Sequence, residues 1–339
     1  MHMADALIVP AVATTMYACS TAAAGYSIRK IKLEEDTGKI PMMGVMGAFV
    51  FAAQMINFTI PGTGSSGHLA GGMMLSAILG PFAGFITMIG VLLIQCLLFA
   101  DGGLLALGCN IWNMAFYGCF IGSFLIWKAI MKHGVNKKKI WIASILGCII
   151  TLQMGAFSVV LETTASGVTE LPFSVFVMAM QPIHLAIGLV EGIITALVLN
   201  FVYEARPELI WTGYEPVPEN MEKKAKLSYR KTLGILAACA AVIAGIVSLF
   251  ASAFPDGLEW SIQRLTGSTE LEQSGVIYEW FAGIQNATAL LPDYAFKNSD
   301  SAAGTSFSGI VGGIAVIILC FVICKIIRCF HKENIELHE

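Results

Sequence analysis

Charge is what this sequence has least of. Asp, Glu, Lys and Arg make up 13% of its 339 residues, about half the share usual in soluble domains, while 56% are apolar. So little charge cannot keep a folded surface in water, and lipid is the solvent for most of the chain. A basic surplus is missing as well: twenty Lys and Arg against twenty-three Asp and Glu leave a net charge of −3, which argues against a phosphate-neutralising surface and against nucleic acid as a partner. There is no Cys-x-x-Cys, and all nine cysteines lie in or beside apolar runs, where they read as small packing residues rather than disulfides or thiolate ligands. Walker lysine, His-Glu-x-x-His and Gly-x-Ser-x-Gly motifs are all lacking. ATP hydrolysis would therefore have to come from partners. Gly62-x-Gly64-x-x-Gly67 matches a dinucleotide fingerprint but joins two membrane spans instead of a strand and a helix, so that reading fails.

What is present is a series of long apolar runs. A helix crossing about 30 Å of hydrocarbon needs about 20 apolar residues, and such runs occupy residues 6–28, 41–60, 109–131, 140–162, 182–203, 232–254 and 307–327. Residues 69–100 are too many for one crossing and few for two, with Pro81 in the middle. Basic residues decide between these, because cytoplasmic loops collect them. With two short crossings meeting at Gly80-Pro81, only Arg264 and Lys297 of the twenty basic residues fall outside. The expectation is an all-α, polytopic membrane protein of about nine spans, seven plus a two-helix module, with the N-terminus outside and the C-terminus cytoplasmic. Residues 1–205 form the first domain, 206–231 a cytoplasmic linker and 232–339 an accessory module with an outer loop at about 255–304. The first span lacks a basic n-region, which marks it as an uncleaved anchor rather than a signal peptide.

The first two residues carry the most chemistry. A bulky His2 disfavours removal of the initiator, so a free amine on Met1 is expected. That amine, the amide nitrogen of His2 and its imidazole Nδ1 close a five- and a six-membered chelate ring around one metal. His68, in the outer loop from Pro61, would supply a fourth nitrogen. A planar N4 set suits Ni(II) or Cu(II) and is reachable by Co(II). Alone, His2 reads equally as a solvated terminal residue and His68 as an interfacial one; their shared outer position, with glycines allowing close approach, favours ligands. His133, His331 and His338 are expected to be cytoplasmic. His184 and Glu191, seven residues apart, share one helical face and are either a polar pair satisfied within the bundle or groups that support the site. Gln54, Asn57, Asn110 and Asn113 flank the outer loops and either bond the ligating imidazoles or serve as caps and packing. Gly44, Ala48 and Ala52 form a small-residue ridge suited to a packed partner helix.

Four ordered motifs resemble one family. They are Met1-His2 with Asp5; Pro61-Gly62-Thr63-Gly64-Ser65-Ser66-Gly67-His68-Leu69-x-Gly71-Gly72; Asp101-Gly102-Gly103-Leu104-x-x-Leu107-Gly108 followed by Asn110 and Asn113; and His184-x-x-x-Gly188-x-x-Glu191-Gly192. They are similar to the substrate-binding component of cobalt and nickel energy-coupling-factor transporters over residues 1 to about 205. Pro255-Asp256-Gly257-Leu258-Glu259 resembles the signature of the family's small accessory component, here fused. The resemblance implies capture of Co(II) or Ni(II) by Met1, His2 and His68 with no organic cofactor. It also implies a transmembrane coupling component and two cytoplasmic ATPases as partners, a cell-membrane location, and metal destined for cobalamin synthesis or nickel enzymes. In one departure, Met3, Ala4 and Ala6 replace three of the usual four residues Ile-Pro-Asp-Gly, beyond the donors. Two rivals stand beside this reading. A membrane metalloenzyme built on His68, His184 and Glu191 would be indifferent to changes at Met1, and a passive carrier would transport without ATPases.

Overall fold

The computed structural model describes residues 1–31, 33, 38–214, 225–297 and 301–336, the side chains of 331–336 excepted. His338 and the side chain of His331 lie outside these residues, as does the linker over 215–224. The chain is helical almost throughout. Its helices are α1 (Pro10–Lys30), α2 (Lys39–Gln54), α3 (Gly72–Leu79) and α4 (Pro81–Phe99), then α5 (Leu107–Met131), α6 (Lys137–Ala165) and α7 (Phe173–Ala205). The last four are α8 (Tyr229–Gly245), α9 (Gly257–Thr266), α10 (Val276–Thr288) and α11 (Ala302–Glu336). Five of them, α4 to α7 and the stretch Ala302–Phe330 of α11, are long and apolar enough to cross a bilayer.

Two expectations change. The run 41–60 stops being helical at Gln54, and its end forms one strand of a hairpin, β1 (Phe58–Ile60) paired antiparallel with β2 (Ser65–Gly67). Residues 69–100 do break at Gly80-Pro81, but unequally, into a helix of 8 residues and one of 19. Eight helical residues rise only about 12 Å; the non-helical stretch before them adds at most about 14 Å. Together they match the length of α4 beside them. Non-helical backbone at this depth is tolerated only where protein covers it, and every residue of α3 is buried.

The outer loop is more ordered than its sequence suggests, since α9 and α10 lie within it. Asp256 starts α9 with a capping box: its Oδ1 accepts from the amides of Leu258 (2.8 Å) and Glu259 (3.0 Å), and Glu259 accepts from the Asp256 amide (3.0 Å). This satisfies the first free donors of the helix.

Candidate metal centre

Residues 1–8 enter one end of the bundle, with Met1, Met3, Leu7 and Ile8 buried. Asn110 holds them there, accepting from the Met3 amide (2.7 Å) and donating to the Met3 carbonyl (3.1 Å). Gly103 donates to the same carbonyl (2.8 Å), and Asp5 Oδ1 accepts from the Ala106 amide (2.9 Å). Of the residues that depart from the opening the resemblance implies, Met3 is therefore fixed by backbone bonds and by burial.

His68 follows β2 directly. Its Nδ1 donates to the Leu69 carbonyl (3.0 Å), leaving Nε2 as the acceptor that meets the Met1 nitrogen at 2.7 Å. The backbone just after it is anchored by Glu191 of α7, whose two oxygens accept from the amides of Ala70 (3.1 Å) and Gly71 (2.9 Å). Gly71 has φ +83° at the start of α3, a conformation that glycine adopts at little cost. Gln54 Nε2 donates to the Ala70 carbonyl (2.9 Å).

His2 lies against His68, with ring centroids 5.1 Å apart and planes 19° from parallel. Its ring nitrogens face elsewhere: Nδ1 lies 3.1 Å from Asp101 Oδ1 and Nε2 lies 3.2 Å from Gln95 Oε1. Met1 and His68 are therefore in contact, whereas the imidazole of His2 must turn before its Nδ1 can share a metal with them. Burial pushes the His2 pKa down to about 4 against the opposing pull of Asp101, so its ring is neutral and able to donate at ordinary pH. Among the described residues, no three His, Cys, Asp or Glu side chains gather closely enough to hold a metal. A metal here would depend on backbone nitrogens of residues 1 and 2.

Asp256 is the residue that sequence reasoning missed. Its Oδ2 pairs with the Met1 ammonium and lies 3.5 Å from His68 Nε2. Burial alone would raise its pKa, but the Met1 ammonium and His68 hold it well below the usual carboxylate range. The sequence signal was the Asp-Gly-Leu-Glu capping pattern, which announces a helix start but not what the second oxygen touches. The accessory module grips this end elsewhere too. Ser66 donates from its amide to Pro255 (2.8 Å) and from its hydroxyl to Phe254 (2.7 Å). Trp260 Nε1 donates to Thr63 (3.0 Å), Gln285 to Gly102 (2.7 Å) and Tyr294 OH to Asp101 (2.5 Å). A vestibule of about 470 Å³ opens between module and bundle, lined by His2, His68, Asp101, Asp256, Glu270 and Asp293 among others.

The remaining predicted residues have other partners. Neither Asn57, Asn110, Asn113 nor Gln54 is hydrogen-bonded to an imidazole; Gln95 makes that contact instead. The Asn57 carbonyl accepts from Ser252 (2.7 Å), and Asn113 donates to Glu162 (2.7 Å). His184 and Glu191 do share the buried face of α7, but Glu191 serves the backbone of Ala70 and Gly71 while His184 Nδ1 donates to the Met180 carbonyl (2.7 Å). The small-residue ridge is covered from within the chain. A Cβ on Gly44 would lie 3.5 Å from Ile317 of α11, and one on Gly313 would lie 3.9 Å from Ala48, while Ala52 is buried.

Comparisons with known proteins place the chain in a family. Residues 2–209 match the family described as the cobalt uptake substrate-specific transmembrane region, and residues 230–329 match the PDGLE domain. The chain is 35% identical to a putative fused nickel transport protein NikMN of Archaeoglobus fulgidus, covering 97% of this chain and 99% of that one. It is 30% identical to the cobalt transport protein CbiM of Sorangium cellulosum over 53% of this chain and 80% of that one. A crystal structure of a truncated transition metal transporter superposes with TM-score 0.53 at 30% identity, covering 60% of this chain and 99% of that one. The chain belongs to the cobalt-uptake substrate-specific transmembrane family, with a PDGLE domain joined behind it, and is a multi-pass membrane component of cobalt or nickel transport rather than an enzyme.

Proposed function

We propose that this chain is the metal-capturing subunit of an ATP-driven uptake system of the energy-coupling-factor type, with its Met1 end facing outward. Co(II) or Ni(II) is taken by the Met1 amine, the His2 amide nitrogen and imidazole Nδ1, and the His68 imidazole Nε2. Binding takes a proton from the amine and another from the amide, and it breaks the contact between the amine and Asp256. A transmembrane coupling component and two cytoplasmic ATPases supply the energy, since this sequence carries no nucleotide motif. The acidic vestibule attracts the incoming cation, and residues 1–205, 206–231 and 232–339 act as capture domain, linker and accessory module.

One observation carries this reading: the Met1 nitrogen lies 2.7 Å from His68 Nε2, between residues 67 positions apart. A single glycine placed ahead of Met1 tests it. The extension moves the amine out of the five-membered ring and should lower affinity for Ni(II) and Co(II) at least a hundredfold while the helical fold, read by circular dichroism, is retained. Retained affinity would sink the chelate, and uptake by vesicles lacking ATPases would favour a passive carrier.

A further inference from the structure

His184 takes no part in the capture set, yet it is only 1% exposed and lines the same small cavity as Met1, His68, Asp256 and Gly257. That cavity measures about 10 Å³, roughly what one water-sized particle needs. His184 Nδ1 donates to the Met180 carbonyl at 2.7 Å, which leaves Nε2 as a bare acceptor, and no polar group bonds to it. A buried nitrogen without a partner is destabilising and calls for an explanation. Its arrangement repeats that of His68, whose Nδ1 is likewise tied to a backbone carbonyl, the usual means of fixing a metal-ligating imidazole. Gly257 leaves the nitrogen open from the module side, since a Cβ there would lie 3.2 Å from Nε2. On the far side of Ala70, Met114 and Leu152 lies a second small cavity reaching Asn113, Thr151 and Glu191.

We propose that His184 Nε2 is a second, inward metal-binding position, to which the divalent ion passes when it leaves the Met1, His2 and His68 nitrogens. This rests on the capture reading above. In the exchange the lone pair of His184 replaces a capture nitrogen, and the released amine and amide recover their protons from water. Because His184 is not gathered with two other His, Cys, Asp or Glu side chains around one point among the described residues, it is a station on the way across and not a fifth member of the capture set.

The test is His184→Asn in the full chain, which keeps an N–H for the Met180 carbonyl and removes Nε2. Expected are a fall of less than threefold in the tight affinity for Ni(II) and Co(II), and a fall of at least tenfold in uptake by cells that depend on this chain. Gly257→Ala, which covers Nε2 from another helix, should reproduce the uptake defect even where the α7 variant folds poorly. Uptake within twofold of the parent for both variants would overturn the proposal. In the glycine-extended chain, weak residual Ni(II) binding should disappear with His184→Asn, and its persistence would equally overturn it. If the extension alone leaves tight binding intact, the capture chelate fails instead, and the uptake comparison still decides the role of His184.

Discussion

Glu191 accepts the Gly71 amide at 2.9 Å and the Ala70 amide at 3.1 Å, so a single carboxylate on α7 holds the buried start of α3 two and three residues beyond His68. Replacing it with alanine leaves two buried N–H groups unmet, each worth about 1–3 kcal/mol. Glu191→Ala should therefore lower stability in detergent by about 2–6 kcal/mol and weaken Ni(II) binding at least tenfold. Glu191→Gln, which can still accept one of the two, should lose about half as much. Thermal melts with calorimetric titration check both, and unchanged melting in the alanine variant would remove Glu191 from this role.

With the proposed capture set, Asp256 and a metal would compete for the same amine. Asparagine caps helices as well as aspartate does, so Asp256→Asn keeps α9 and removes only the charge opposite Met1. Its equilibrium affinity for Ni(II) should rise about tenfold, the equivalent of about 1.4 kcal/mol from one lost charge contact. Competition against a chelator of known strength reads this directly, and a weaker complex would show that the carboxylate helps the ion bind.

Asn110 should matter although it touches no donor atom of the capture set. Both its side-chain atoms are committed to the backbone of Met3, and each bond contributes about 1 kcal/mol. Asn110→Ala is expected to free the N-terminal segment and weaken metal binding about tenfold, and backbone hydrogen exchange at residues 2–4 should speed up in parallel. An affinity loss without faster exchange would point to some other cause.

The pH response has a definite sign. With the His2 pKa lowered from 6.5 to about 4, the folded state binds fewer protons than the unfolded one between those values. Stability of the metal-free protein should rise with pH across that window and level off above it, by about 3 kcal/mol in all. Asp256, held below its usual range, keeps its contribution until the pH falls under that range. His2→Gln should flatten the rise in a series of denaturant titrations. Metal affinity should fall on acidification even above pH 6.5, where His2 is already neutral, because the amine and amide must still lose protons.

Much of the bundle was legible because crossing a bilayer demands long apolar runs, and every expected run overlaps a helix, although the run 41–60 ends in β1 and the run 232–254 stops being α-helical at Gly245. The unequal break at Gly80 was not legible, since a short helix behind unwound backbone has the same hydropathy as a full one. Met1 and His68 could be paired from motif and sidedness alone. Asp256 could not, because a capping box explains one of its oxygens completely and nothing in the local sequence assigns the other. Gly44, Ala48 and Ala52 likewise announced close packing without naming the helix, and α11 of the same chain takes that place.

The hydrogen bonds from Ser66 to Pro255 and Phe254 lay a third backbone segment beside the hairpin that precedes His68. Were the two parts separate polypeptides, that seam would form only as often as they met, and scarcity of either would leave it open. Here a covalent tether fixes their effective concentration. The cover over the proposed metal donors is thus present in every copy of the protein, whatever its abundance in the membrane.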